Sequence, residues 1–111
     1  MKEWIIKYSK EAQEDYAKLD GSQRPQVFKA MEKVRKNPLP DYEGGYGKPL
    51  GNKGGRDLRG LLKIKLKKLG LRVVYRLEYD KENNIMKIIV ISLRSDDEVY
   101  ETAAKRIKRE N

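Results

Sequence analysis

Residues 62–79 decide the fold: Leu62-Lys63-Ile64-Lys65-Leu66-Lys67-Lys68-Leu69-Gly70-Leu71-Arg72-Val73-Val74-Tyr75-Arg76-Leu77-Glu78-Tyr79. From Leu62 to Leu66 apolar and basic residues alternate strictly, which sets Leu62, Ile64 and Leu66 on one face of a sheet and Lys63, Lys65 and Lys67 on the other. Around Lys68-Leu69-Gly70 the chain turns, and a second alternating run follows from Leu71 to Tyr79, so the two runs form a hairpin. Asp80 to Asn84 makes another turn. Ile85 to Leu93 is apolar on both faces, the mark of a central strand, and completes a three-stranded meander. Ser95-Asp96-Asp97-Glu98 then reads as a capping box opening a helix whose buried stripe is Val99, Ala103 and Ile107, flanked by Tyr100 and Ala104. Only that stripe, with its small Ala contacts, is expected to hold the helix to the sheet.

Upstream, residues 2–8 (KEWIIKY) suit a short strand, and Ser9 caps a helix running to about Leu19 with Ala12, Tyr16 and Leu19 on its apolar side. After Gly21-Ser22, Pro25 lies in the first turn of a second helix, where Val27, Ala30, Met31 and Val34 recur at helical spacing until Asn37-Pro38. Seven of the nine Gly and three of the four Pro fall between Asn37 and Gly60, so this stretch is expected to be a long loop. The expected order is β-α-α-β-β-β-α. Residues 1–111 read as one α+β domain with a mostly antiparallel sheet, an N-terminal helical hairpin and a C-terminal helix.

The chain carries 26 Lys and Arg against 17 Asp and Glu, a net charge of +9. It has no Cys and no His, which excludes disulfide frameworks, thiolate nucleophiles, imidazole acid/base catalysis and nearly all zinc chemistry. No apolar run reaches the ~18 residues of a membrane span and the opening MKEWIIKYSKEAQ lacks a signal-peptide stretch, so a cytoplasmic protein with no membrane partner is expected. From Arg56 to Arg76 lie eight cations (Arg56, Arg59, Lys63, Lys65, Lys67, Lys68, Arg72 and Arg76) and one anion, Asp57. Such a field attracts polyanions, nucleic acid first and acidic protein segments second. A Lys-rich wet strand face that discourages edge-to-edge pairing would show the same charges.

On Lys63-Ile64-Lys65, Gly70-Leu71-Arg72-Val73-Val74-Tyr75, Ile91-Ser92-Leu93-Arg94, Glu98-Val99-Tyr100 and Ala104-Lys105-Arg106-Ile107, the chain resembles the RelE toxins of the RelE/ParE superfamily. The resemblance covers nearly the whole length and is strongest from Leu58 to Ile107. It implies a small ribosome-dependent endoribonuclease that cuts mRNA in the ribosomal A site and is silenced by a cognate antitoxin. It also implies catalytic roles for Lys63, Lys65, Arg72, Arg94 and Tyr100, with Arg56, Arg59, Lys67, Lys68 and Arg76 as further contacts to RNA or ribosome. A related possibility is a non-catalytic toxin that binds DNA gyrase, as the ParE branch does; a basic RNA-binding module without activity is a third.

Cleavage of RNA by its own 2′-hydroxyl needs that oxygen deprotonated, the pentavalent phosphate stabilised and the 5′-oxygen protonated as it leaves. Without His, and with few carboxylates in the basic stretch to hold Mg²⁺, cations must carry these roles; no cofactor and no metal site is expected. Lys63, Lys65, Arg72 and Arg94 gathered on one face would disfavour one another's protonated forms, which favours a lysine as base. The Arg72 fork suits the charge developing on phosphate, and the resemblance implies that Arg94, just before the Ser95 cap, assists the leaving oxygen. Tyr100 fits two descriptions at once, a core aromatic of the last helix and a ring that stacks on or orients RNA.

Overall fold

A computed structural model of the chain describes residues 4–53 and 55–110. Its elements are β1 (Ile5–Tyr8), α1 (Lys10–Lys18), α2 (Gln23–Val34), a single 3-10 turn (Asp41–Glu43), β2 (Lys48–Lys53), β3 (Arg56–Leu66), β4 (Leu71–Tyr79), β5 (Asn84–Ser92) and α3 (Asp96–Glu110). Five strands form one sheet in the order β1-β5-β4-β3-β2. Every neighbouring pair is antiparallel except β1 and β5, which run parallel with Ile5 opposite Ile85 and Tyr8 opposite Ile88. Among the described residues no helix is long and apolar enough to cross a membrane.

The alternation of β3 and β4 divides the core in two. Leu62, Leu71, Val73 and Tyr75 point to the face covered by α1 and α2, where they meet Ala12, Val27, Met31 and Val34. Leu58, Leu61 and Val74 point to the opposite face, where α3 lays Val99, Tyr100 and Ala103 over them and over Ile89 and Val90 of β5. Covered on both sides, β5 has the continuous apolar sequence its position demands. One residue breaks its regularity: Val74 pairs with Val90 and Tyr75 with Ile88, so Ile89 is an extra residue bulged out of the ladder.

The helix signals behave as their chemistry requires. The Ser9 hydroxyl accepts from the Ala12 N–H at 3.1 Å and starts α1. Asp20 does the same work ahead of α2, accepting from the backbone of Ser22 and Gln23 at 2.9 and 2.8 Å. The Ser95 hydroxyl stands 3.4 Å from both the Glu98 N–H and its carboxylate at the start of α3.

The Gly-rich stretch differs from expectation. Only residues 37–47 form a loop, and they close on themselves through backbone bonds from Tyr46 to Asn37, Gly47 to Leu39, Gly45 to Pro40 and Asp41 to Gly47. Beyond it β2 pairs with β3, and β3 begins at Arg56, six residues before the alternating run. Two features hide these strands in the sequence. Pro49 and Gly51 are poor strand formers tolerated because β2 lies at the sheet edge. Gly60, at φ +88°, interrupts the alternation of β3, so Leu58 and Leu61 face the same side although three residues apart.

Candidate functional site

The basic residues of the hairpin converge where the first turn of α3 crosses β3 and β4. Lys65 and Arg72 are directly opposed across the two strands, and Lys63 lies two residues from Lys65 on the same face. The Lys63 ammonium donates to the Tyr100 hydroxyl at 2.5 Å and stands 5.2 Å from the centre of the Tyr100 ring. Tyr100 is 7% exposed, which bears out the first of its two descriptions: its ring fills the second core, and its oxygen meets the cation.

Between Lys65 and Arg72 sits the carboxylate of Asp96, the first residue of α3. One oxygen takes the Lys65 ammonium at 3.0 Å and the other the Arg72 Nε–H. Partial burial by itself would push the Asp96 carboxyl up, but hydrogen bonds from Lys65 and Arg72 and the nearby Lys63 charge outweigh it and hold the group below the usual carboxylate range. Arg72 has two further anchors, donating from Nη1 to the Arg94 carbonyl at 2.8 Å and, more weakly, to the Gly70 carbonyl at 3.4 Å. Its guanidinium therefore stays in place by backbone contacts as well as by the ion pair.

Arg94 joins this group through its carbonyl and not through its side chain. The guanidinium is 72% exposed and pairs with Glu98 one helical turn on, at 2.9 Å. It projects at the mouth of a polar cleft lined in part by Lys18, Gln23 and Arg106, between α1, β5 and α3. A long arginine on a surface pair of this kind is held by less than about 1 kcal/mol and is free to swing toward a ligand.

The other five sequence candidates are placed less closely. Arg56, at the start of β3, reaches Asp97 at 3.1 Å and Glu101 at 3.9 Å on α3. Arg59 is exposed and turns back to Asp57 on its own strand at 2.8 Å; the Arg59 guanidinium and backbone N–H lower the Asp57 carboxyl to about 2. Lys67 and Lys68 occupy the β3–β4 turn, exposed, so Lys67 stands beyond the strand and not in line with Lys63 and Lys65 on its basic face. Arg76 pairs with Glu78 at 2.6 Å farther along β4. The structure thus gathers Lys63, Lys65, Arg72 and Tyr100, sets the Arg94 side chain at the rim, and spreads the remaining cations outward.

Carboxylates are the component absent from the sequence-derived set. The Arg56–Arg76 segment holds one anion, but α3 brings Asp96, Asp97 and Glu101 against its cations from 20 or more residues away. For Asp96 and Asp97 the signal was present as the acidic first turn of the last helix, which local reasoning assigns wholly to capping.

The expectation that α3 is held only by its apolar stripe is also corrected. Arg106 grips Asp15 of α1 with both terminal nitrogens, at 2.6 and 3.1 Å, and donates to the Ile89 carbonyl at 2.8 Å. Asp15 in turn accepts from the Ile91 N–H at 3.0 Å. The carbonyl is that of the bulged residue, and the N–H lies just past the end of β1, so both are backbone groups the ladder leaves without a partner. Side-chain exposures of 15% and 13% make this a largely buried pair. Arg109 adds an outer contact to Glu11 at 2.9 Å.

Neither a protein-family model nor a curated protein matches the sequence. Solved structures do. The isolated Escherichia coli RelE toxin superimposes with a TM-score of 0.63 at 25% identity, covering 94% of this chain and 98% of that one. A double Arg-to-Ala variant of the same toxin, bound to a peptide of the RelB antitoxin, gives 0.65 at 25% identity over 95% and 98%. A RelBE toxin–antitoxin complex from Mycobacterium tuberculosis gives 0.54 at 22% identity over 84% and 100%. Across nearly its whole length, then, the chain is built as a RelE-type toxin is built.

Proposed function

We propose that this RelE-type chain is the toxin of a type II toxin–antitoxin pair and acts as a metal-independent endoribonuclease, cleaving mRNA in the A site of the ribosome. The observation that carries the reading is the convergence of Lys63, Lys65, Arg72 and Tyr100 within one patch, with the Arg94 carbonyl tied to Arg72 and its side chain held by a surface pair with Glu98. A protein that merely adhered to RNA would need cations but no buried hydroxyl paired to one of them.

The reaction follows from these groups. The 2′-oxygen of the attacked nucleotide gives its proton to Lys63 in its neutral amine form, oriented by the Tyr100 hydroxyl, as it bonds to the adjacent phosphorus. Arg72, fixed through the Arg94 carbonyl, and Lys65 spread the negative charge of the pentavalent phosphate. The bond from phosphorus to the 5′-oxygen breaks, and that oxygen takes a proton from the cationic set, with the Arg94 guanidinium placed to assist. The products are a 2′,3′-cyclic phosphate and a 5′-hydroxyl. Because such groups are weak catalysts on a floppy strand, the ribosome contributes by holding the reacting nucleotides in line.

The partners in this reading are mRNA, the ribosome with its rRNA, and a cognate antitoxin, all met in the cytoplasm. The RelB peptide bound to the E. coli toxin is the precedent for the last of these. The test compares cleavage of one mRNA free in solution and on programmed ribosomes, with and without chelator. Cleavage only on ribosomes, unaffected by chelator and stopped by a single 2′-deoxy substitution at the cut position, is expected. Equal cleavage of free RNA, or cleavage of the deoxy substrate, would overturn the reading; inhibition of DNA gyrase by a protein inert toward mRNA would place it with the ParE branch instead.

A further inference from the structure

In the free protein the strongest part of the cationic patch is already occupied. Asp96 offers two oxygens to Lys65 and Arg72, with Lys63 close enough to act on its charge. This is the arrangement in which two non-bridging oxygens of a phosphodiester would be held. The carboxylate and an incoming phosphate therefore compete for the same donors.

We propose that Asp96 is a built-in competitor for the substrate phosphate, which single-stranded RNA must displace before Lys65 and Arg72 can engage it. The inference rests on the endonuclease reading above and adds a specificity-determining residue to it. Three features make displacement possible without collapse of the site. Arg72 remains tied to the Arg94 carbonyl through Nη1, so losing Asp96 frees its Nε–H without releasing the side chain. Asp96 belongs to the first turn of α3, where the helix dipole stabilises a carboxylate that has let go of the cations. The pair is also open to water, with Lys65 and Asp96 each 36% exposed, so the exchange passes through solvated states and needs no unfolding.

The functional consequence is discrimination. A patch of bare cations would bind any polyanion in proportion to its charge. With Asp96 in place, free RNA gains from the site only the difference between phosphate and carboxylate. RNA already positioned by other contacts, as on the ribosome, tolerates that reduced gain.

The experiment measures binding of a fluorescein-labelled 2′-O-methyl RNA oligonucleotide, which cannot cyclise, to the wild-type protein and to Asp96→Asn, Asp96→Glu and Glu43→Gln. Glu43 lies in the 3-10 turn and supplies the same charge change away from these cations. Asp96→Asn is expected to bind about tenfold tighter, with a steeper loss of affinity as salt rises, while Asp96→Glu and Glu43→Gln stay near wild type. In the wild-type protein the Arg72 Nε–H NMR signal is expected to shift as oligonucleotide is added. Unchanged or weaker binding by a folded Asp96→Asn, an equal gain in Glu43→Gln, or an Arg72 signal indifferent to saturating RNA would each overturn the proposal. None of these readouts needs cleavage, so tighter binding by Asp96→Asn together with absent ribosome-dependent cleavage would reject the function and keep the competitor.

Discussion

Tyr100 joins the packing of a core to the cations of the candidate site. Its ring is part of the core beneath α3 and its hydroxyl is the acceptor for Lys63. Tyr100→Phe keeps the volume and deletes the oxygen, so the melting temperature is expected to move by a few degrees at most while cleavage on ribosomes falls at least tenfold. Full activity in the variant would assign the tyrosine to packing alone. Tyr75, buried on the other face, separates its two roles differently: its hydroxyl donates to the Pro38 carbonyl at 2.7 Å, and burial raises the phenol above its ordinary value near 10. A raised value favours the neutral form in the fold, so the associated stability is complete below about pH 10 and is lost as pH climbs through the folded value. Tyr75→Phe should cost about 1 kcal/mol at neutral pH, and its deficit against wild type should shrink in alkali when both are followed by denaturant melts.

At the scale of elements, α3 is fastened by a buried ion pair to α1 and to the irregular middle of β5. Asp15→Ala leaves the largely buried Arg106 with Glu11, 3.3 Å from its Nε, as its remaining anion and strips the Ile91 N–H of its acceptor, so a loss of about 3 kcal/mol is expected in chemical denaturation; replacing Asp15 and Arg106 together by apolar residues of similar size should recover most of it. Gly47 is the corresponding key to the loop, because a Cβ there would lie 2.2 Å from the Tyr75 hydroxyl and 3.2 Å from the Pro38 carbonyl. Gly47→Ala is expected to break that hydrogen bond and lower the melting temperature well beyond the Tyr75→Phe change. These two fastenings also mark the limit of what was legible in the chain. Alternation announced the β3–β4 hairpin, helical spacing announced all three helices, and the doubly apolar Ile85–Leu93 run announced the centre of the sheet, because each pattern is written in neighbouring residues. β2 was hidden by Pro49 and Gly51, and the Asp15–Arg106 pair by a separation of 91 positions along the chain. For the candidate site, the positions of Lys63, Lys65 and Arg72 followed from the register of one hairpin, whereas the presence of Asp96 among them depended on where a distant helix begins.

The whole molecule is a sheet with a separate core on each face, and the candidate site belongs to the α3 side alone. An acidic antitoxin segment covering that side is expected to slow hydrogen exchange either in the Lys63–Arg72 hairpin or across residues 95–109, and to bind less tightly as salt rises. Unchanged exchange in both regions would locate inhibition elsewhere. The topology has a kinetic corollary. β1 finds its partner strand only after about eighty intervening residues, Lys63 its tyrosine after 37, and Asp15 its arginine after 91. Pairings so distant along the chain form late and slowly compared with the hairpins and helices that precede them. Until α3 has docked, Val74, Ile89 and Val90 lack their cover and no hydroxyl stands over Lys63. The polypeptide therefore passes through most of its synthesis and much of its folding without an assembled candidate site; on the endonuclease reading, that delay gives the ribosome that makes it time to let it go.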